Sequence, residues 1–337
     1  MSTINKDLVG SYWSNLDCSA SDKNFYSFPP LRSRACKLIF DEFDSSRRDW
    51  SVYWTVEKYL KGRIPFQDAL SICCGFGEVE RSMAKLGVAD SITGIDIAPG
   101  AIKEATNRAG AEGLANIKYD VGDIGSIELG HEKYDLIWAN GALHHIEKLE
   151  KVISSLYQAL KPKGILVANE YIGPRYQQVG KRQAEIINAV KHLLPPELRS
   201  PISIPRDTSL KAKLKTTLKT KFKDRFFQDY LVGEDKNSFG KIWNNTPIEW
   251  FLDNDPSESI RGDEIVPILS ETFDEIEVKP FHGPVLFYAL DEKFFDNFDL
   301  GNSKHRKILE ALFQLEDSLI EMGELKNENA HIVCWKS

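Results

Sequence analysis

Between residues 66 and 172, short apolar runs alternate with segments whose apolar positions recur at helical spacing. ALSICC (69–74) is a short apolar run ended by Gly75 and Gly77, and GEVERSMAKLG (77–87) follows with a helical pattern. SITGIDI (91–97) and GAIKEATNRAGAEG (100–113) repeat the sequence strand, then helix. IKYDVGD (117–123) predicts a third strand and YDLIWANGAL (134–143) a fourth. IEKLEKVISSLYQAL (146–160) is amphipathic, and after KPKG the run ILVANEY (165–171) predicts a fifth strand. Alternation at this pitch predicts βαβ units, a parallel sheet and right-handed crossovers.

The rhythm breaks near residue 174. RYQQVGKRQAEIINAVKHLL (175–194) has helical spacing and is ended by Pro195 and Pro196. A basic segment follows, SLKAKLKTTLKTKFKDRF (209–226). Helix and strand return with EIVPILSETF (264–273) and DEIEVKPF (274–281). A long helix, SKHRKILEALFQLEDSLIEMGEL (303–325), then leads to a last strand, HIVCWK (331–336). The expected organisation has four parts: an aromatic-rich helical segment over 1–65, an α/β core over 66–173, a mainly helical insertion over 174–262, and the rest of the core over 263–337. The early aromatics, Tyr12, Trp13, Phe25, Tyr26, Phe28, Phe40, Phe43, Trp50, Tyr53 and Trp54, favour packing on the sheet edge over a cap above a site.

Composition narrows the class. Hydrophobic residues at 42% and charged residues at 28% suit a soluble globular protein. No stretch approaches the roughly 20 apolar residues of a membrane helix. The start, MSTINKDLVGSYW, lacks a basic run followed by an apolar one, so no secretory signal is expected. A net charge of −7 argues against general nucleic-acid binding. Cysteines at 18, 36, 73, 74 and 334 show no CxxC spacing, and the count is odd. Reduced thiols and a cytoplasmic location are the expectation, with Cys73 and Cys74 as small buried side chains and no metal clip.

Candidate chemistry gathers at the ends of the strands. In an open parallel sheet, ligands bind beyond the carboxyl ends, where strand order reverses. Gly75 and Gly77 allow close approach of the backbone. Asp96, nineteen positions after Gly77, ends the second strand, where a carboxylate accepts from both ribose hydroxyls. A dinucleotide fingerprint would need glycine at position 80, but Glu80 stands there and would repel a pyrophosphate. Asp123 follows the third strand and can accept from an adenine amino group. Adenosine without phosphate describes S-adenosylmethionine (SAM).

These stretches resemble the class I SAM-dependent methyltransferases. SICCGFG stands at that family's glycine-rich motif. ITGIDIAPGAI, YDVGDI, YDLIWANGALHHI and KPKGILVANE follow in its order. The resemblance implies a seven-stranded, Rossmann-like, doubly wound sheet of five parallel strands plus a late antiparallel hairpin, with a helical insertion between strands 5 and 6. It implies SAM as cofactor, held by Cys73, Gly75, Gly77, Asp96, Ile97, Asp123, Ile124 and Asn140. Ser71 departs from the family, which carries an acid there, and Cys73 replaces its first glycine. Gly77→Val is expected to abolish SAM binding while leaving folding largely intact.

The fourth and fifth strands end in His144, His145 and Glu170. A carboxylate beside an imidazole raises its basicity and orients it. ALHHI with this acid resembles O-methyltransferases acting on small molecules and sugars through a His–acid pair. His144 is the first choice of base and His145 the second, with no metal ligands assigned. The expected acceptor is a small molecule or sugar, in a pocket capped by the insertion 174–262. In the basic segment Lys211, Lys215, Lys219 and Lys223 flank an apolar stripe. This favours a solvated amphipathic helix; attraction of an anionic acceptor or membrane surface is the alternative. Transfer to nitrogen or carbon, a noncatalytic binding module and a nicotinamide oxidoreductase remain the other readings.

Overall fold

In a computed structural model, residues 4–16, 25–42, 44–199, 242–281, 283–290 and 292–337 are described. The chain divides into two compact units. One comprises Met1–Gln177, Ile248–His282 and Asn327–Ser337; the other comprises Gln178–Pro247 and Gly283–Lys326. The basic segment 209–226 and Cys18 lie outside the described residues.

The first unit is built on one seven-stranded sheet: β1 (Phe66–Ile72), β2 (Ala89–Asp96), β3 (Ile117–Val121), β4 (Tyr134–Asn140), β5 (Leu160–Tyr171), β6 (Glu275–Phe281) and β7 (Asn329–Trp335). Their order is β3-β2-β1-β4-β5-β7-β6. β1 pairs in parallel with both β2 and β4, so strand order reverses at β1. β7 is antiparallel to both β5 and β6. The two late strands are therefore neighbours, as expected, although residues 283–326 separate them in sequence.

Alternation along the strands makes two apolar faces. Leu70, Ile72, Ile137, Ala139, Leu166, Ala168, Ile332 and Cys334 point to one face. There they meet Leu149, Val152, Ile153 and Leu156 of a helix (Leu149–Ala159) and Ile265 and Leu269 of another (Ile265–Thr272). Ala69, Leu136, Trp138, Ile165, Val167 and Val333 point to the other face and meet Val52, Val56, Leu60 and Met83. Strands buried on both faces read as continuous apolar runs, which is why they were visible in the sequence.

Boundaries shift by one to three residues at most strands, and the shifts at β1 and β5 have a clear cause. β1 starts at Phe66 and ends at Ile72, because Cys73 takes a left-handed conformation with φ 48° and turns the chain out of the sheet. β5 starts at Leu160, five residues before the predicted start, and pairs Leu160 with Tyr134 ahead of a register shift.

Three helices place the site. α1 (Lys6–Ser14) is capped by Asn5, whose side chain accepts from Leu8 N at 3.2 Å. α2 (Glu78–Lys85) follows the glycine turn, and α3 (Pro99–Ala111) begins with proline at its first position, where the missing N–H costs nothing. The early aromatics divide between roles. Tyr26, Phe40 and Trp50 pack against Phe281 of β6 as core, whereas Tyr12 and Trp13 of α1 lie at the histidines described below; Phe43 lies outside the described residues.

In the second unit, a helix over Lys181–Leu193 bonds the returning chain through Asn188, which accepts from Trp243 N at 2.7 Å and donates to Trp243 O at 2.9 Å. A long helix over Ser303–Glu321 carries the buried Glu316, which accepts from Val285 N and Leu286 N. No described helix is long and apolar enough to cross a membrane.

Candidate active site

The turn after β1 is tight and largely backbone. Gly75 and Gly77 have φ of 52° and 74°, values that favour glycine. A side chain on Gly75 would meet nothing within 4 Å, so the turn faces open space there. Gly77 differs: a Cβ would come within 2.8 Å of Tyr119 Cζ and 2.9 Å of Ala105 Cβ. Valine at 77 would therefore collide with packed side chains, and the expectation that folding survives Gly77→Val is corrected. Asp96 is buried at the end of β2; its carboxylate accepts from Gly75 N at 2.9 Å and Ala98 N at 2.8 Å. Burial raises its pKa despite those bonds.

Asp123 lies beyond β3. It forms an ion pair with Lys6 of α1, and accepts from Ser126 Oγ at 2.6 Å and Gly125 N at 3.0 Å. Burial acts to raise its pKa, but Lys6 and Ser126 outweigh it and hold the carboxyl below its usual value. Ile97 follows β2 and is half-buried. Ile124 points into the core with Ile95 and Leu70. Asn140 ends β4, exposed, and accepts from Asn169 Nδ2 at 3.1 Å. Cys73 is half-buried, and burial first, then the charge of Asp96, pushes its thiol pKa well up, away from the thiolate.

A second cluster lies beyond β4 and β5. The buried Glu170 accepts from Ala142 N and Leu143 N, both at 2.9 Å, and its other oxygen lies 2.8 Å from His144 Nδ1. His144 Nδ1 therefore carries the hydrogen and Nε2 a lone pair. His145 Nδ1 lies 3.1 Å from Ser257 Oγ. Ser257 spends its own hydrogen on Asp255 Oδ1 at 2.6 Å, so His145 Nδ1 also donates and its Nε2 is likewise an acceptor. Trp13 Nε1 donates to Asp255 at 2.9 Å, and its ring meets His145 edge-on at 5.6 Å. Glu258 faces both imidazoles, 3.9 Å from His144 Nε2 and 3.8 Å from His145 Nε2.

The segment carrying Glu258 is fixed firmly. Ile260 N donates to His144 O at 3.0 Å. Arg261 donates through both terminal nitrogens to Glu150, each at 2.6 Å, a bidentate charge-assisted pair. Gln177 Nε2 and Ser259 Oγ donate to Glu258 at 3.0 and 2.7 Å. Tyr176, Gln177 and Ser259 all have φ near 50°; such left-handed strain in non-glycine residues collects where a fold over-determines a functional site.

The pKa values of the two imidazoles shift in opposite directions. For His144, burial opposes charge, yet the hydrogen bond and charge of Glu170 prevail and raise its pKa. For His145, burial and then the charge of His144 prevail and lower its pKa. Burial also works against Glu258, but the two histidines outweigh it and keep its pKa low.

Residues 69–164 match a protein family described as "Methyltransferase domain". This part of the chain is thus similar to a methyltransferase domain. A malonyl-[acyl-carrier protein] O-methyltransferase from Acetivibrio thermocellus is 27% identical over 147 residues, covering 40% of this chain and 50% of its own. The sterol 24-C-methyltransferase ERG6A of Gibberella zeae is 30% identical over 120 residues, covering 34% of this chain and 31% of its own. Phosphoethanolamine N-methyltransferase 2 of Caenorhabditis elegans is 30% identical over 108 residues, covering 32% and 24%. The chain thus spans half or less of these relatives, whose names specify oxygen, carbon and nitrogen as acceptor atoms.

The residues of this region fit SAM, the cofactor that the sequence resemblance implies. The open cradle at Gly75, the buried carboxylate of Asp96 beside it and Asp123 opposite Lys6 suit an adenosyl ligand without phosphates. Of the eight residues expected to hold it, Ile124 contributes its side chain to the core. His144, His145 and Glu170 come together as expected. Trp13, Asp255, Ser257 and Glu258 were missed: they arrive from α1 and from DPSES (255–259), and no local motif ties them to ALHHI. His144, His145 and Glu258 also bring three possible metal donors within 4.8 Å of one another.

Proposed function

We propose that this chain is a methyltransferase that uses SAM to methylate an oxygen of a small molecule or sugar, without a metal, and that His144 takes the hydroxyl proton. Bound SAM supplies an electrophilic methyl group on a sulfonium. Gly75, Gly77 and Asp96 would hold the adenosyl portion, and Asp123 its base. The protein's own chemistry is alignment, exclusion of water and removal of a proton.

One observation carries the reading: His144 Nδ1 is fixed by Glu170 at 2.8 Å while its Nε2 lone pair faces Glu258 and the second imidazole. Three acceptors converging on one point, His144 Nε2, His145 Nε2 and the Glu258 carboxylate, invite a hydrogen from the acceptor. An alcohol must lose its proton as the new C–O bond forms, so it needs such a base more than most acceptors do. Glu170 stabilises the resulting imidazolium. Trp13 and Tyr12 place aromatic surface beside it, suited to the apolar face of a sugar ring.

The test is transfer of isotopically labelled methyl from SAM to a panel of alcohols, phenols and nucleotide-linked sugars, with mass analysis of the product. Labelled ether from the native protein, lost in the His144→Ala, His145→Ala double variant, supports the reading. Normal turnover in that variant removes the imidazole base.

A further inference from the structure

Glu80 is a charged residue the mechanism above leaves unused. It lies in the first turn of α2, three residues after Gly77, and none of its surface reaches solvent. Neither carboxylate oxygen has a hydrogen bond of good geometry; as donors, only the Ser71 hydroxyl and the residue's own N–H lie near enough to lower its pKa. Burying an unpaired carboxylate is among the more costly arrangements a fold can hold, so such a group calls for an explanation.

The neighbouring cations do not supply one. Arg81 donates to Phe76 O at 2.6 Å and pairs with Glu112, and Lys85 also goes to Glu112 at 2.7 Å. What surrounds Glu80 is the underside of the glycine turn: its charge acts on Cys74, Asp96 and Tyr119, and the Ser71 hydroxyl of β1 lies beside it. Burial pushes its carboxyl up to about 7, against the lowering influence of Ser71 and Arg81, so a cation arriving at the turn would tip it to the ionised form.

We propose that Glu80 supplies the negative charge opposite the cationic amino-acid end of SAM, with Ser71 between strand and helix carrying its hydrogen-bonding reach. The proposal rests on the reading of the turn as a SAM cradle. It adds to that cradle a charge that acts through the Ser71 hydroxyl and the turn, and explains why an under-bonded carboxylate is tolerated there: the ligand's cation balances it. A carboxylate in a water-poor site attracts a nearby cation far more strongly than it would in solvent.

Calorimetric titration with three ligands tests it: SAM, S-adenosylhomocysteine, which keeps the ammonium, and 5′-methylthioadenosine, which lacks the amino-acid end. Glu80→Gln should weaken the first two by about tenfold or more and leave the third unchanged. A Ser71→Asp, Glu80→Ala variant, which moves the carboxylate from helix to strand, should recover S-adenosylhomocysteine binding. Equal binding of S-adenosylhomocysteine by native protein and Glu80→Gln overturns the proposal, as does a parallel loss of 5′-methylthioadenosine. Native protein that takes up none of the three overturns the SAM reading itself, and this inference with it.

Discussion

Glu170 holds His144 at both ends of one short peptide: its carboxylate lies 2.8 Å from His144 Nδ1 and accepts the backbone N–H groups of Ala142 and Leu143 at 2.9 Å. The side chain thus fixes the loop after β4 as well as the imidazole it carries. Glu170→Gln should keep most of the backbone bonding but lose the charge. Turnover should fall by about 10²-fold or more, with little change in SAM affinity. Steady-state kinetics beside SAM titration separates the two.

A pH profile follows from the same pair. The base works deprotonated, so kcat/KM should rise with pH as His144 loses its proton. Its pKa is raised above 6.5, so the rising limb should lie above 6.5. In Glu170→Gln the largest raising influence is gone while burial and the smaller effects of Glu258 and Asp255 remain, so the limb should move to lower pH, at a lower plateau. A limb that stays in place assigns the titration to another group.

Chelation tests the metal-independent reading. His144, His145 and Glu258 could hold a cation between them, and two histidines with a carboxylate form a well-known ligand set. If His144 is instead the base, EDTA treatment and exhaustive dialysis should leave turnover unchanged. Activity that is lost on chelation and restored by one divalent ion would transfer the role to a metal.

The two turn glycines should respond differently to alanine. Gly77→Ala forces a methyl against Tyr119 and Ala105 in addition to its strained φ, so it should lower the unfolding midpoint; overpacking of this kind costs about 1–3 kcal/mol. Gly75→Ala meets no neighbour and should cost only backbone strain, about 1–2 kcal/mol, while placing a methyl in the cradle. Thermal unfolding ranks the two, and SAM titration should show the larger affinity loss per unit of stability at Gly75.

His331 should make the fold acid-sensitive. It is fully buried in β7, its Nδ1 is 2.6 Å from Asn169 Oδ1, and its Nε2 has no partner. Burial, then the charge of Lys58, pushes its pKa down to about 3. The unfolded chain therefore binds the proton first. Stability is lost as pH falls from about 6.5, the unfolded value, toward 3, and the loss at pH 5 relative to neutrality is about 2 kcal/mol. His331→Phe should show a smaller stability change between pH 7 and pH 5 in denaturant titrations.

The sequence by itself determined the sheet and its ligand-binding end. β1, β4 and β5, buried on both faces, write themselves as apolar runs, and βαβ geometry leaves little choice of topology, so the sequence places Gly75, Gly77, Asp96, His144 and Glu170 at one end. Tertiary structure decided what surrounds them. Trp13 comes 132 positions before His145 and Glu258 comes 113 after it; such pairings leave no periodic signal, because nothing in local spacing records which loop folds over which strand. The turn at Cys73 was hidden for a related reason: a left-handed φ at a non-glycine residue has no mark in the sequence and is enforced by packing around it. Glu80 stands between the two cases. Its position in the first turn after Gly77 is plain in the sequence, but its burial and poor hydrogen bonding come only from the packed fold.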